Sequence, residues 1–272
     1  MAYHALILRN PARAEATVRQ FEQLGITSWC AQLVTAIWPE DRQELETMAQ
    51  RLVDGGYSWL AITSVSTVQV LEQVLGSRTL PSSLRIASVG EKTSQAIAAK
   101  LGRSVDFQPQ VQSAAGMLDL WRPEPGSVIC YPHGDLASST LSDALADKPV
   151  TVDEVIAYQS VDAPAAGTPV DAARVPEAVN VLHPGNIGGK LGQMDLIVFS
   201  APSIVRRFAQ LAGGRIPQKV RTIAIGAPTA KALKAVGLPV DAIASEPTPQ
   251  GLARAAKELL QPGGVAAAEE TR

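Results

Sequence analysis

Hydroxyl-bearing side chains recur in this 272-residue sequence where apolar strands are followed by helices. The first turn of a helix offers unpaired N–H groups and partial positive charge, and open α/β sheets bind ligands at the carboxyl ends of their strands. The pattern therefore indicates two rims that bind an anionic small molecule, although each residue taken singly could be an ordinary helix cap. The residues are Thr63, Ser64, Thr93, Ser113, Ser200, Ser203, Thr229 and Thr248.

Other kinds of site are poorly supported. The segment HPGNIGGK (183–190) resembles a phosphate-binding loop, but Pro184 replaces its first glycine and Leu191 replaces the required Ser or Thr. The sequence has no GxGxxG after its first strand, no GxSxG elbow and no histidines at metal-ligand spacing. Cys130 lies within an apolar strand, where a core role is expected. We therefore predict no metal, cofactor or covalent nucleophile, so that any catalysis relies on positioning and electrostatics.

The strand–turn–helix segments form an internal repeat. Thr63 matches Ser200 at an offset of 137 residues, and Gly116 matches Gly251 at an offset of 135. A register that drifts so little indicates duplication. The matched segments are 59–71 with 195–208, 85–102 with 222–237, and 104–118 with 239–253.

Alternating strands and helices predict parallel sheets with right-handed crossovers. HALILR (4–9) is a spare strand, which we expect to pair with the second repeat. We expect a helix from Asn10 to near Gly25, one strand within 31–41 and a short strand near 104. The predicted fold class is α/β, with two similar flavodoxin- or Rossmann-like domains joined by a two-stranded β connector. The expected boundaries are 1–35 plus 162–262 for one domain, 40–153 for the other, 34–38 and 154–160 for the connector, and 263–272 for a flexible tail.

The composition is that of a globular protein, with 46% apolar and 18% charged residues. A net charge of −2 argues against general nucleic-acid binding. The sequence has no apolar run of about 20 residues that could span a bilayer, and no signal-peptide pattern. Two cysteines suit a reducing compartment. We expect a cytoplasmic protein with no nucleic-acid or membrane partner.

Several segments, taken in order, resemble the uroporphyrinogen-III synthase family over nearly the whole chain. Each motif alone is weak, but the ordered set is specific. The opening ALILRNP also resembles the family's first strand, with Arg9 at its characteristic arginine. The other segments are WLAITSVSTV, IASVGEKTSQAI, VIAYQSV, VFSAPSIV, AIGAPTAKAL and ASEPTPQGLA.

This resemblance implies a monomer with two α/β domains, a two-stranded connector and no cofactor. It also implies a reaction, in which the linear tetrapyrrole hydroxymethylbilane is closed to uroporphyrinogen III with inversion of ring D and loss of water. Tyr158 matches the family's candidate for assisting hydroxyl departure, although a connector residue that only orients the domains remains an alternative. Thr93 and Thr229 match the family's Gly-x-x-Thr turns, and Ser64 matches the serine of its first Thr-Ser turn.

The sequence departs from the family pattern in two places. The second copy of the repeat has Ser200-Ala201 where the family has Thr-Ser, and the turn at 132–141 offers Ala137 and Ser138 instead of basic residues. We therefore expect the first copy and Tyr158 to matter most. Two alternatives stay open, a non-catalytic two-domain module that binds a small anion or regulates, and an inactive relative of the synthase.

Overall fold

A computed structural model describes residues 2–112, 114–213 and 215–261. Ser113 and the predicted tail 263–272 lie outside the described residues. The contacts divide the chain into two compact units. The first unit contains the residues up to Thr35, Asp162–Ala165 and the residues from Ala173 on, and the second contains Ala36–Val161 and Ala166–Ala172.

Strands and helices alternate along the described residues, as the α/β prediction requires. The strands are β1 (Tyr3–Leu8), β2 (Ile26–Ala31), β3 (Val34–Ile37), β4 (Trp59–Ile62), β5 (Arg85–Ser88), β6 (Val128–Gly134), β7 (Thr151–Asp162), β8 (Asn180–Val181), β9 (Leu196–Phe199), β10 (Arg221–Ala224) and β11 (Ala242–Ile243). The α-helices are α1 (Glu15–Glu22), α2 (Gln43–Val53), α3 (Val65–Leu75), α4 (Glu91–Leu101), α5 (Ala114–Leu120), α6 (Thr140–Ala146), α7 (Ile187–Lys190), α8 (Pro202–Leu211), α9 (Ala227–Ala235) and α10 (Pro249–Leu260).

The first unit has a parallel sheet with the strand order β11-β10-β9-β1-β2-β8. Leu8 of β1 lies opposite Phe199 of β9, which confirms that HALILR pairs with the second repeat. Strand order reverses between β1 and β9, as in doubly wound folds. The sequence analysis missed β2, because Thr27 and Ser28 interrupt its apolar pattern. In the sheet β2 lies between β1 and β8, where Ser28 is buried.

The second unit has a sheet with the order β3-β7-β6-β4-β5. Its β4–β5, β4–β6 and β6–β7 pairs are parallel, and the strand order reverses between β4 and β6. The short strand predicted near 104 was wrong, because Phe107 forms only an isolated bridge to Ala87. The Asp106 carboxylate accepts a hydrogen bond at 2.7 Å from the Ile86 N–H, which is thereby taken up by a side chain.

The same contacts recur at the repeat offset in the two units. Asp241 accepts from the Thr222 N–H at 2.7 Å, as Asp106 does from Ile86. Gly90 and Gly226 precede α4 and α9 with φ of −177° and −179°. Matching side-chain and backbone geometry supports the duplication inferred from sequence.

Both sheets are covered on both faces, so their central strands are buried. In β4, Leu60 and Ile62 pack into one apolar cluster while Trp59 and Ala61 pack into another. In β9, Ile197 and Phe199 face one cluster and Leu196 and Val198 face a second. Among the described residues, no helix is long and apolar enough to cross a membrane.

We expect Leu60→Ala to lower the free energy of unfolding by about 2–5 kcal/mol, because the fully buried side chain leaves a cavity in the core. Leu120→Ala is the matched control, since Leu120 is 59% exposed and its truncation should change stability by less than about 0.5 kcal/mol. Urea unfolding followed by far-UV circular dichroism measures both. Equal midpoints for the two variants would contradict the assignment of β4 to the core.

Candidate active site

Strand order reverses once in each described sheet, and predicted site residues lie at both reversals. In the second unit Thr63 and Ser64 follow β4, next to the end of β6. In the first unit Arg9 follows β1 and Ser200 follows the neighbouring β9. Such reversal points leave a crevice at the carboxyl ends of the strands, where doubly wound folds bind ligands.

Tyr158 reaches the reversal point of the second unit through a β-bulge. His133 pairs with Ile156, but the next residue, Gly134, pairs with Tyr158, so that Ala157 is skipped. The Tyr158 ring lies on Gly134, where a Cβ would be 2.6 Å from Cε2 and Cζ and 2.8 Å from the hydroxyl. Since no side chain fits there, glycine at position 134 is what allows the ring to occupy this place.

The Tyr158 hydroxyl lies 3.2 Å from Ser64 Oγ. Ser64 also caps α3 by accepting from the Thr67 N–H at 3.0 Å, and its Oγ lies 2.9 Å from Thr67 Oγ1. The helix-cap interpretation of Ser64 is therefore confirmed, and its role in substrate binding stays a prediction. The cap fixes the hydroxyl that contacts the phenol.

Thr63 contacts a second tyrosine at this edge. Burial raises the pKa of Tyr131 of β6, and the nearby Thr63 side chain partly offsets that effect. Tyr131 is 3% exposed and packs in the core below the strand ends. Thr63 therefore links the turn after β4 to β6, and its half-buried position leaves it near the Tyr158 contact.

Thr93 and Thr229 occupy the first turns of α4 and α9, three residues after Gly90 and Gly226. Both side chains are buried, with exposures of 5% and 2%. They follow β5 and β10, which lie one strand beyond β4 and β9 in their sheets. Each threonine therefore lies at the carboxyl ends of the strands of its sheet, in the first turn of a helix.

At the reversal point of the first unit, Ser200 donates a 2.6 Å hydrogen bond to the Leu8 carbonyl and so ties β9 to β1. Arg9 is half-buried, and its guanidinium donates to Thr17 Oγ1 at 3.4 Å. Burial and the nearby Arg13 lower the pKa of Arg9 from its ordinary value. Arg9 therefore places a partly desolvated positive charge at this edge.

The remaining predicted residues of the first unit have local roles. Thr248 caps α10 by accepting from the Gly251 N–H at 3.1 Å. Ser203 is half-buried at the second position of α8. The residue that precedes α8 is Ala201, which has no side-chain oxygen to cap with. In the second unit, a hydrogen bond joins Ser64 to Tyr158. In the first unit, Arg9 and Ser200 follow neighbouring strands, β1 and β9, whereas Thr248 follows β11, the edge strand of that sheet.

The cysteines have the properties of core residues. Burial raises the pKa of Cys30 to about 12 and also raises that of Cys130. Both side chains are fully buried, so the expectation that Cys130 is a core residue is confirmed. In the segment 183–190, His183 Nδ1 accepts from the Gly185 N–H, and the helix that follows spans four residues.

Sequence reasoning missed His133 and Gly134. The basic residues discussed above would lie at 137 and 138, in the turn after β6, whereas His133 lies earlier, within β6 itself. Trp59 and Leu196 occupy matching positions of the internal repeat. Ile129 pairs with Trp59 and Ala5 pairs with Leu196, so β6 corresponds to β1. Four residues further along these two strands, His133 corresponds to Arg9. An alignment of the β1 and β6 sequences, added to the recognised repeats, could have identified His133.

A curated uroporphyrinogen-III synthase from Chlorobaculum parvum is 24% identical over 273 residues, covering 94% of this chain and 98% of the relative.

Solved structures show the same fold. A mutant uroporphyrinogen III synthase from the extremely thermophilic bacterium Thermus thermophilus matches with a TM-score of 0.66 at 18% identity, covering 94% of this chain and all of the other. Uroporphyrinogen-III synthetase from Helicobacter pylori matches with a TM-score of 0.55 at 14% identity, covering 95% of this chain and all of the other.

A family model described as uroporphyrinogen-III synthase HemD matches residues 15–254. That range contains Ser64, Gly134, Tyr158 and Ser200, whereas β1 and Arg9 precede it. The chain belongs to the uroporphyrinogen-III synthase family.

Proposed function

We propose that this protein is a uroporphyrinogen-III synthase that closes hydroxymethylbilane to uroporphyrinogen III, with inversion of ring D and loss of water. The observation that carries the proposal is the Tyr158 hydroxyl, held 3.2 Å from Ser64 where the strand order of the second unit reverses. The alternative, a non-catalytic module for small anions, gives no reason for a phenol seated on a glycine at this point.

Tyr158 is the proposed catalytic residue. Ser64 Oγ accepts a hydrogen bond from the Thr67 N–H. In the proposed arrangement the Thr67 hydroxyl also donates to Ser64 Oγ, and the Ser64 hydroxyl donates to the Tyr158 oxygen. The Tyr158 hydroxyl is then free to donate its own proton to the departing hydroxyl of the substrate. Donation from Ser64 also fixes the position of the phenol oxygen.

Departure of the hydroxyl as water leaves an electrophilic azafulvene on ring A. Ring D attacks through its substituted carbon, and the resulting spiro intermediate rearranges to the inverted isomer. The unassisted cyclisation gives the non-inverted isomer, so the enzyme must hold ring D in the productive pose. The reaction moves protons and carbon–carbon bonds without net oxidation, and it needs no cofactor.

Binding is proposed to rest on the acetate and propionate carboxylates of the substrate. Helix N-termini after the parallel strands supply N–H donors, and Arg9 supplies a positive charge. The proposed substrate-binding residues are Arg9, Thr63, Ser64, Thr93, Ser113, Ser200, Ser203, Thr229 and Thr248, of which Ser113 lies outside the described residues.

We also propose that the two compact units are the two domains of a cytoplasmic monomer. The boundary between the units crosses β3 and the end of β7, which are neighbours in one sheet. These strands correspond to the segments 34–38 and 154–160 that the sequence predicted as the connector.

The purified protein should convert enzymatically generated hydroxymethylbilane mainly to uroporphyrinogen III. Chromatographic separation of the two isomers after oxidation measures this, with a protein-free reaction as the control for spontaneous closure. Formation of isomer I alone, at the protein-free rate, would refute the proposed function.

Tyr158→Phe should lower kcat by about 100-fold with an unchanged melting temperature, because it removes the donor to the leaving hydroxyl. Tyr3→Phe is the matched control and should leave kcat within twofold. The bond recorded for the Tyr3 hydroxyl among the described residues is donated to the Leu260 carbonyl, at 3.3 Å, in the first unit. An unchanged rate for Tyr158→Phe would remove Tyr158 from the mechanism.

Gly134→Ala should lower kcat at least tenfold, because the new Cβ would lie 2.6 Å from the Tyr158 ring and displace its hydroxyl from Ser64. Gly188→Ala is the control, since no atom of the described residues outside its own helix lies within 4 Å of its Cβ position. Steady-state kinetics measure kcat for both variants. Equal values of kcat would show that the position of the Tyr158 ring does not depend on a glycine at position 134.

A further inference from the structure

His133 lies at the end of β6, one residue before the glycine under Tyr158. Its Nδ1 is 2.9 Å from the Gly134 carbonyl oxygen, and its Nε2 is 3.2 Å from Glu154 Oε2 on β7. The side chain is 12% exposed, and its ring lies 4.7 Å from the Tyr131 ring, measured between centroids. His133 is therefore held on several sides at the place where the register of β6 and β7 shifts.

Both ring nitrogens of His133 face acceptors. A carbonyl oxygen can only accept a hydrogen bond, so His133 satisfies the Gly134 carbonyl when Nδ1 carries the proton. Ser142 of α6 donates to the same Glu154 oxygen at 2.9 Å and helps to fix it.

The two contacts of His133 span the start of the bulge. The register shifts between His133 and Gly134, so the Gly134 carbonyl lies just after the shift. Glu154 lies before it, on β7 two residues before Ile156, the partner of His133. On the far side of the bulge, the Asp135 N–H donates to the Tyr158 carbonyl at 3.0 Å and Asp135 Oδ1 accepts from the Ser160 N–H at 2.8 Å. The bulge is thus tied on both sides.

We propose that His133 is a positioning residue for Tyr158. Its Nδ1 holds the Gly134 carbonyl, and so holds the bulge that lays the phenol on Gly134 beside Ser64. Strand register gives His133 the place that Arg9 occupies in the first unit. Its effect on rate rests on the proposed function, but its effect on the Tyr158 ring does not.

A double-mutant cycle of His133→Leu and Tyr158→Phe tests the kinetic part. His133→Leu should lower kcat about tenfold with KM changed less than twofold, and it should cause no further loss in the Tyr158→Phe background. Equal fold losses in both backgrounds, or a change in KM alone, would overturn the proposal, since His133 would then act independently of Tyr158.

Two further variants separate positioning from general stability. His133→Asn keeps an N–H donor close to the position of Nδ1 and should retain at least half of kcat. Ser142→Ala removes one bond to Glu154 without touching His133 and should stay within twofold of the parent protein. A loss in His133→Asn as large as in His133→Leu, at equal melting temperatures, would exclude the bond to Gly134 as the active contact.

Nuclear magnetic resonance provides a readout that does not depend on activity. The chain has four tyrosines, so protein labelled with [13Cζ]tyrosine gives few signals, and Tyr158→Phe assigns the one from Tyr158. That signal should shift or broaden in His133→Leu and stay in place in His133→Asn. An unmoved Tyr158 signal in His133→Leu would overturn the proposal for His133, whether or not the protein makes uroporphyrinogen III. Failure to make uroporphyrinogen III would refute only the proposed function.

Discussion

The approach of the Tyr158 ring to the Cα of Gly134 is the constraint on which the site depends. It requires a glycine at the end of β6, and it requires the register of β6 and β7 to shift by one residue at that point. Only then does the phenol lie beside Ser64, whose own position is fixed because it caps α3. Backbone geometry, more than side-chain choice, therefore brings the hydroxyl to the edge of the sheet.

Duplication has left two copies with different roles. In the second unit the turn after β4 carries Ser64, which caps its helix and contacts a phenol. The corresponding turn in the first unit has Ser200 bonded to the Leu8 carbonyl, followed by Ala201. The first unit offers the charge of Arg9 instead. Among the described residues, the contact between a helix-capping serine and a phenol therefore occurs in the first repeat, whereas the matching position of the second repeat is Ala201.

The sequence predicted strands and helices wherever a short stretch of the chain carried the pattern. The repeated strands, the glycines before α4 and α9, and the pairing of HALILR with β9 all follow from apolar runs and nearly constant offsets within the chain. It failed where side chains replace backbone partners, as Asp106 does near Phe107, and where polar residues interrupt a buried strand, as in β2. The contact of Tyr158 with Gly134 depends on a register shift between strands, which no local pattern encodes.

The proposed role of Tyr158 in the departure of the substrate hydroxyl can be isolated by changing the leaving group. A bilane analogue with an acyloxymethyl group in place of the hydroxymethyl group expels a carboxylate, which needs no proton to depart. The rate ratio of the parent protein to Tyr158→Phe, about 100 for hydroxymethylbilane, should therefore fall towards 1 for the analogue. An equally large ratio for both substrates would show that Tyr158 does not act on the leaving group.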